Sequence, residues 1–380
     1  MTIAARTGPA LDEHFMDQAL ALAKSGIGTT APNPSVGALV VQFDASGPII
    51  VGSGVTAPGG RPHAERLALQ QAGAAARGAT LYVTLEPCGH RSVANDGPSC
   101  SDAILAAGIS RIVIATEDPS PFASGEGVRR LADAGLVICT GVCHEAARKV
   151  NLGHILRMRE NRPFVTLKLA QTADGFAGTS DGKPIAITGD VSFGHTHTAR
   201  AEADAIMVGV GTVLGDDPKL NVRLPGLEHR APIRVILDGQ LRTPATAFMV
   251  RDSGQIPTWI FASHGADEAK AAALRAGGAD ITRVATTPAG RLDLREILGA
   301  LSARGITRLM VEGGPTLSEA LADADFIDEF TLMTGPDNAG RGLVAVGPAL
   351  RRWMADTARV TRIETAQWGA DRAEIFERSR

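Results

Sequence analysis

His63, Cys88 and Cys100 are three side chains suited to a single metal ion, and each stands where an apolar strand run gives way to a helical pattern. For them to meet, several strand-to-helix junctions must share one edge, the edge where α/β sheets place their sites. The surrounding pattern agrees. Residues 12–25 set Phe15, Met16, Ala19, Leu20, Leu22 and Ala23 at helical spacing. Apolar runs over 36–41 and 49–55 flank the turn Asp44-Ala45-Ser46-Gly47 and predict a hairpin. Beyond it, helices over 62–77, 98–107 and 126–134 alternate with strands over 79–85, 111–115 and 136–140. The alternation predicts a mostly parallel sheet with one antiparallel edge, covered by helices.

A chain of 380 residues is long for one hydrophobic core, and the pattern breaks once. Residues 147–163 are rich in basic side chains and close with Arg162-Pro163, after which a new strand opens at Phe164. Two domains are expected, 1–146 and 164–380, with 147–163 as linker. In the second, strands at 205–210, 233–238, 257–262 and 307–311 alternate with helices near 190–202, 266–276, 293–303 and 315–323, predicting a further α/β alternation that runs to the C-terminus. No internal repeat relates the halves. The formal charge of −3 lacks the basic excess of a nucleic-acid binder. No stretch approaches the roughly 20 apolar residues of a membrane helix, and the N-terminus lacks a secretory signal. Four cysteines are too few for a disulfide framework. These features together predict a cytoplasmic enzyme acting on small molecules.

The chemistry lies in Pro62-His63-Ala64-Glu65, Glu86-Pro87-Cys88 and Pro98-Ser99-Cys100. One imidazole and two thiolates are the three protein ligands of an open, catalytic zinc site. Helix starts favour the thiolate form. Zinc lowers the pKa of a water in the remaining position to roughly 7. Glu65, two residues after His63, is then the proton carrier rather than a ligand. H-x-E followed by P-C and a second Cys is the pattern of zinc-dependent nucleobase deaminases. Eleven residues separate Cys88 from Cys100, where enzymes acting on nucleosides or nucleic acids commonly have two. The longer loop can line the pocket, with His90 and Arg91 placed to meet a phosphate or sugar. Cys139, inside an apolar run, reads as a small hydrophobe.

With these motifs the chain resembles the bifunctional riboflavin-biosynthesis deaminase–reductases over nearly its whole length. Thr30-Ala31-Pro32-Asn33-Pro34-Ser35-Val36-Gly37 is similar to the family's substrate loop, and Thr84-Leu85-Glu86-Pro87-Cys88-Gly89-His90 follows its metal motif. The resemblance implies a cytidine deaminase-like three-layer α/β domain followed by a dihydrofolate reductase-like α/β domain, and it places Asn33 against the ribosyl part of the substrate. The family's Lys in the inter-cysteine loop is missing here, and Asp118-Pro119-Ser120-Pro121 departs from D-P-N-P.

In the second half the residues alone show anion-binding turns: Gly209-Val210-Gly211-Thr212 and Glu312-Gly313-Gly314-Pro315-Thr316 end strands before helices. There is no G-x-G-x-x-G, so a dinucleotide Rossmann domain is not indicated. Lys168 to Gly175, Gly209 to Pro218 and Val311 to Leu317 are similar to three family motifs, with Thr172-Ala173 in place of Ser-Leu and Ala186 where an aromatic is frequent. The resemblance implies NADPH against Ala170, Thr212, Asp216, Gly239, Gly314, Pro315, Thr316 and Leu317. It implies substrate contacts at Lys168, Arg200, Leu220, Arg223 and Glu312. Without it, Lys168 reads as a strand lysine reaching solvent. His195-Thr196-His197 reads as a solvated helix face, because residues two apart point to different sides.

The function expected is zinc-dependent deamination of a phosphoribosylaminopyrimidine, then NADPH reduction of its ribosyl group, in a homo-oligomer. The rivals are a nucleoside or tRNA deaminase with a non-catalytic C-terminal nucleotide-binding domain, and a zinc-stabilised scaffold without chemistry. Cysteine spacing and the C-terminal motifs oppose the first; Glu65 opposes the second.

Overall fold

The computed structural model describes residues 8–89, 98–120, 123, 125–179 and 185–380. The chain divides into two compact units, Met1–Arg162 and Pro163–Arg380.

Unit 1 runs α1 (Pro9–Ser25), β1 (Gly37–Asp44), β2 (Gly47–Val55), α2 (Ala64–Ala72), β3 (Thr80–Val83), α3 (Cys100–Ala107), β4 (Arg111–Ile114), α4 (Glu126–Asp133), β5 (Val137–Thr140), α5 (His144–Val150) and α6 (Leu152–Glu160). The sheet order is β2-β1-β3-β4-β5, antiparallel through β2, β1 and β3 and parallel from β3 to β5. Strand alternation sorts the core into two faces. Ala38, Val40, Ile112 and Ile114 join Ala64, Ala68, Ile104 and Leu131 of α2, α3 and α4. Leu39, Val41 and Val113 join Phe15, Met16, Ala19 and Ala147 of α1 and α5. The unit is therefore three-layered, as expected. Close approach of α2 to β2 needs two glycines. A Cβ at Gly54 would lie 2.3 Å from the Ala64 carbonyl oxygen, and one at Gly52 would lie 2.2 Å from that of Ala68.

Residues 147–163, expected as a linker, lie mostly in α5 and α6 and belong to unit 1 through Arg162. Val150, Leu152, Ile155 and Leu156 are buried. Their helical spacing is masked in the sequence by the arginines and lysine on the outer face.

Unit 2 runs β6 (Phe164–Gln171), β7 (Phe176–Thr179), α7 (Asp190–Ala201), β8 (Ala205–Gly209), α8 (Val210–Asp216), β9 (Ile233–Leu237), α9 (Phe248–Arg251), β10 (Thr258–Ser263), α10 (Glu268–Ala276), β11 (Asp280–Val284), α11 (Leu294–Ala303), β12 (Arg308–Val311), α12 (Pro315–Asp323), β13 (Glu329–Thr334), β14 (Gly342–Val344), α13 (Pro348–Ala355), β15 (Val360–Trp368) and β16 (Asp371–Arg378). Its main sheet has the order β11-β10-β9-β8-β12-β6-β13-β16-β15. All pairings from β11 to β13 are parallel, and the last two strands are antiparallel. The expected alternation thus stops at α13, and a hairpin ends the chain. At the sheet's edge β15 is largely exposed, so its sequence lacks the apolar run that marks the buried parallel strands. β12 enters between β8 and β6, so the order reverses there, and such switch points hold ligands beyond the strands' C-terminal ends.

Candidate active sites

In unit 1 the ends of three elements converge. His63 is the N-cap of α2, Cys100 is the first residue of α3, and Cys88 follows β3 outside any helix or strand. The expectation of a helix start holds for His63 and Cys100 but not for Cys88. Cys88 is fixed instead by α3: the Cys100 N–H donates to its sulfur at 3.4 Å and the Ser101 N–H to its carbonyl at 3.2 Å. The ligand atoms of His63, Cys88 and Cys100 all lie within 4.8 Å of one another. His63 Nδ1 is 3.3 Å from Cys100 Sγ and 3.8 Å from Cys88 Sγ. A tetrahedral zinc with ordinary bond lengths sets such atoms about 3.6 Å apart, so the donor set fits that ion.

Glu65, on the first turn of α2, is 3% exposed, and burial raises its pKa. The Cys100 thiol, by hydrogen bonding, holds Cys88 well below the usual thiol range, and the same contact with Cys88 pushes Cys100 up. The Cys88 sulfur also raises His63. These groups line a cavity of about 900 Å³ with Asn33, Asp118, His154 and Arg157. The Asn33 amide donates to the Gly60 carbonyl at 2.8 Å, tying the loop before β1 to the chain just before His63. His90 and Arg91 lie outside the described residues.

Sequence reasoning misses part of this wall. Glu86 is 4% exposed and accepts the N–H groups of Gly125 (3.2 Å) and Asp118 (3.4 Å). It therefore anchors the loop after β4 beside the metal motif, a role that its place in that motif does not announce. His154 of α6 bonds Asp118 Oδ1 at 3.0 Å, and Arg157 donates to the Pro32 carbonyl at 3.2 Å. Reading 147–163 as linker hides both. Cys139 packs against the α1–α5 core as a small apolar residue, and it and Cys143 are free thiols.

In unit 2 a cavity of about 1230 Å³ lies beyond the ends of β8, β9 and β12. Thr212, Asp216, Gly239, Gly314, Pro315, Thr316 and Leu317 line it, as does Gly211. Ala170, on β6, is not among its lining residues; it pairs with Met333 of β13. A Cβ at Gly209, Gly211 or Gly314 would meet nothing within 4 Å, which leaves room for a ligand against backbone. Gly314 caps α12 without a side-chain hydrogen bond; Pro315 has no N–H and Leu317 donates to the Gly314 carbonyl, so the Thr316 amide is the first-turn donor left for an anion. A dinucleotide pyrophosphate fits this cradle. Burial raises Asp216.

Lys168, Arg200, Leu220, Arg223 and Glu312 do not line that cavity; most form a separate polar cluster. Val311 pairs with Leu167 and with Met207, so Glu312 emerges next to Lys168. Arg200 binds Glu312 through two bonds of 2.6 and 2.9 Å and the Asn221 carbonyl at 2.9 Å. Burial pushes Glu312 up, but the Arg200 guanidinium outweighs it and the carboxyl ends below its usual range. Lys168 is half-buried rather than fully solvated as expected from its strand; desolvation lowers its pKa, with Glu312 opposing. Leu220 is buried in the core, so it shapes the loop and offers no exposed side chain. The expected solvated face at His195-Thr196-His197 also fails, because His197 is 1% exposed.

Residues 9–116 match the cytidine and deoxycytidylate deaminase zinc-binding region, and residues 163–366 match the RibD C-terminal domain. Fold and site thus define a zinc-binding deaminase domain followed by an NADPH-using reductase domain. The chain is 39% identical to the riboflavin biosynthesis protein RibD of Aquifex aeolicus over 97% of its own length and 99% of that protein's. Among solved structures it is similar to RibD of Acinetobacter baumannii, with TM-score 0.84, 32% identity and coverage of 98% of this chain and 100% of that one. It is similar as well to a diaminohydroxyphosphoribosylaminopyrimidine deaminase/5-amino-6-(5-phosphoribosylamino)uracil reductase of Thermotoga maritima, with TM-score 0.81, 31% identity and coverage of 98% and 99%. The chain belongs to the RibD family, the bifunctional deaminase–reductases of riboflavin biosynthesis. A match running through both domains opposes the rival of a nucleoside or tRNA deaminase with a non-catalytic C-terminal nucleotide-binding domain. Among the described residues no helix is long and apolar enough to cross a membrane.

Proposed function

We propose that unit 1 deaminates diaminohydroxyphosphoribosylaminopyrimidine and that unit 2 reduces the ribosyl group of the resulting 5-amino-6-(5-phosphoribosylamino)uracil to ribityl. The observation that carries the reading is the meeting of His63 Nδ1, Cys88 Sγ and Cys100 Sγ within 4.8 Å in one cavity with buried Glu65. Zinc held by those three residues supplies Lewis acidity toward the attacking water. The Glu65 carboxylate carries two protons in turn: the attacking water's first proton to the ring nitrogen, and then the second, from the oxygen now bonded to carbon, to the amine, which leaves as ammonia. Its burial supports this, since a raised pKa makes the carboxyl a better base and still able to release the proton. Asn33 orients the ribosyl group, and His90 and Arg91 meet the phosphate or sugar.

In unit 2 NADPH supplies the hydride. Thr212, Asp216, Gly239 and the turn of Gly314, Pro315, Thr316 and Leu317 hold it, with Ala170 outside the cavity they line. Arg200, Arg223 and Glu312 hold the pyrimidine on a loop shaped by Leu220, and Lys168 supplies charge near the carbon that is reduced. Positioning does most of this work. The enzyme acts in the cytoplasm as a homo-oligomer on small molecules alone, in keeping with its lack of basic excess.

Mass spectrometry of the products tests both halves. Without NADPH the purified enzyme should yield the deaminated, unreduced pyrimidine; with NADPH it should yield the ribityl compound. No deamination overturns the first assignment, and deamination without NADPH-dependent reduction overturns the second.

A further inference from the structure

The two histidines of His195-Thr196-His197 have unlike surroundings. His195 stacks on Trp368, with ring centroids 3.8 Å apart and planes 10° from parallel. His197 faces inward, and both of its nitrogens face one residue. Its Nδ1 accepts the backbone N–H of Arg223 at 3.0 Å, and its Nε2 lies 3.4 Å from an Arg223 guanidinium nitrogen. An Nδ1 that accepts leaves the proton of a neutral ring on Nε2. Nε2–H and the guanidinium are then both donors, so the ring takes none of the side-chain donors of Arg223. Phe193 completes the arrangement: its ring centroid is 4.1 Å from that of His197 and 5.0 Å from the Arg223 guanidinium carbon. Burial first, and the charges of Arg200 and Arg223 next, hold His197 neutral down to about pH 4.

The loop that carries Arg223 needs such a hold. Asp217 and Leu220 adopt positive φ of 38° and 47°, a conformation that non-glycine residues keep only when their surroundings impose it. Two residues three apart on α7, and so on one helix face, grip the loop. Arg200 donates to the Asn221 carbonyl and His197 accepts from the Arg223 N–H. Arg223 itself remains exposed.

We propose that His197 is a positioning residue of the reductase site, gripping the backbone of Arg223 so that its guanidinium points outward to an anionic group of the pyrimidine substrate. This rests on the reading of unit 2 as the reductase.

The test uses the full-length enzyme, NADPH oxidation, and 5-amino-6-(5-phosphoribosylamino)uracil as substrate, with His197→Leu, His197→Asn, Arg223→Met and the double variant His197→Leu/Arg223→Met. His197→Leu should raise KM for the pyrimidine about tenfold, the scale of one lost hydrogen bond, with kcat and the KM for NADPH nearly unchanged. His197→Asn, whose Oδ1 can take the Nδ1 position, should recover most of that loss. The double variant should be little worse than Arg223→Met alone, because the histidine acts through the arginine. An unchanged pyrimidine KM in His197→Leu overturns the proposal. So does an equal loss of kcat and both KM values in the Leu and Asn variants, the mark of a merely structural residue. If His197→Leu loses the thermal transition of unit 2, the Asn variant decides: near-native pyrimidine KM supports the grip, and a tenfold rise overturns it. Failure of the unaltered enzyme to oxidise NADPH would instead overturn the reductase reading itself.

Discussion

In unit 1 the working wall is made of side chains: an imidazole, two thiols and a buried carboxyl, set at or beside helix starts. In unit 2 the larger cavity opens onto backbone at Gly209, Gly211 and Gly314, with Arg242, Arg291 and Arg295 also on its lining, while a second set of charged side chains gathers in a separate cluster around Arg200 and Glu312. The first site therefore depends on the identity of a few side chains, and the second on empty space and the grip of a loop. Substitutions should divide along that line.

The largest contrast should come from Glu65→Gln. Removing a positioned proton carrier lowers rates by about 10²- to 10⁴-fold, so deamination should nearly vanish. Metal analysis should still find one zinc, and reduction of pre-deaminated substrate should be untouched. Turnover retained in that variant would remove the chemical distinction of unit 1. Next is Arg200→Leu, which removes the ion-pair partner of Glu312 and leaves Lys168 as its neighbouring cation, at a cost of up to about 3–5 kcal/mol. Calorimetry should show the unit 2 transition shifted down sharply while deaminase activity persists.

A paired glycine experiment sharpens the contrast further. Gly54→Ala drives a methyl against the Ala64 carbonyl, an overpacking cost of about 1–3 kcal/mol, and should shift α2 enough to weaken zinc retention against a chelator. Gly211→Ala meets nothing and sits within a helix, where Ala is favoured by about 0.5–1 kcal/mol. It should leave stability level or improved and still raise the KM for NADPH. Equal effects of the two on folding would erase the difference between a packed glycine and a cradle glycine.

The smallest effect is on pH dependence. An unfolded histidine takes up a proton below about pH 6.5, while folded His197 stays neutral to about pH 4. Between those values the unfolded chain binds more protons, so the stability that His197 contributes is complete above about pH 6.5 and falls as pH drops toward 4. Thermal melts of unit 2 across this window should lose their acid slope in part in His197→Asn. An identical slope in both proteins would place the linkage elsewhere.

The metal ligands and Glu65 are legible in the sequence because histidine, cysteine and glutamate in that pattern have few other uses together. The three layers of unit 1 are legible because β-strand alternation and helical spacing are local properties of the chain. α6 is not, because its charged outer face outweighs a short apolar stripe, and with it go His154 and Arg157 in the deaminase wall. Lys168 and His197 mislead for a related reason: a strand lysine or helix histidine looks the same in sequence whether solvent or an ion pair faces it.

What the sequence determined by itself is the chemistry available and the local form of each segment, since both depend on neighbours a few residues away. Only the tertiary structure decided which distant groups share a site. Glu312 meets Arg200, 112 residues earlier, because β12 inserts between β8 and β6 and so brings its C-terminal end to Lys168 of β6 and to α7, the helix that leads into β8. That order is set by burying apolar strands on both faces, a free energy summed over the whole sheet, and no short stretch of sequence holds it.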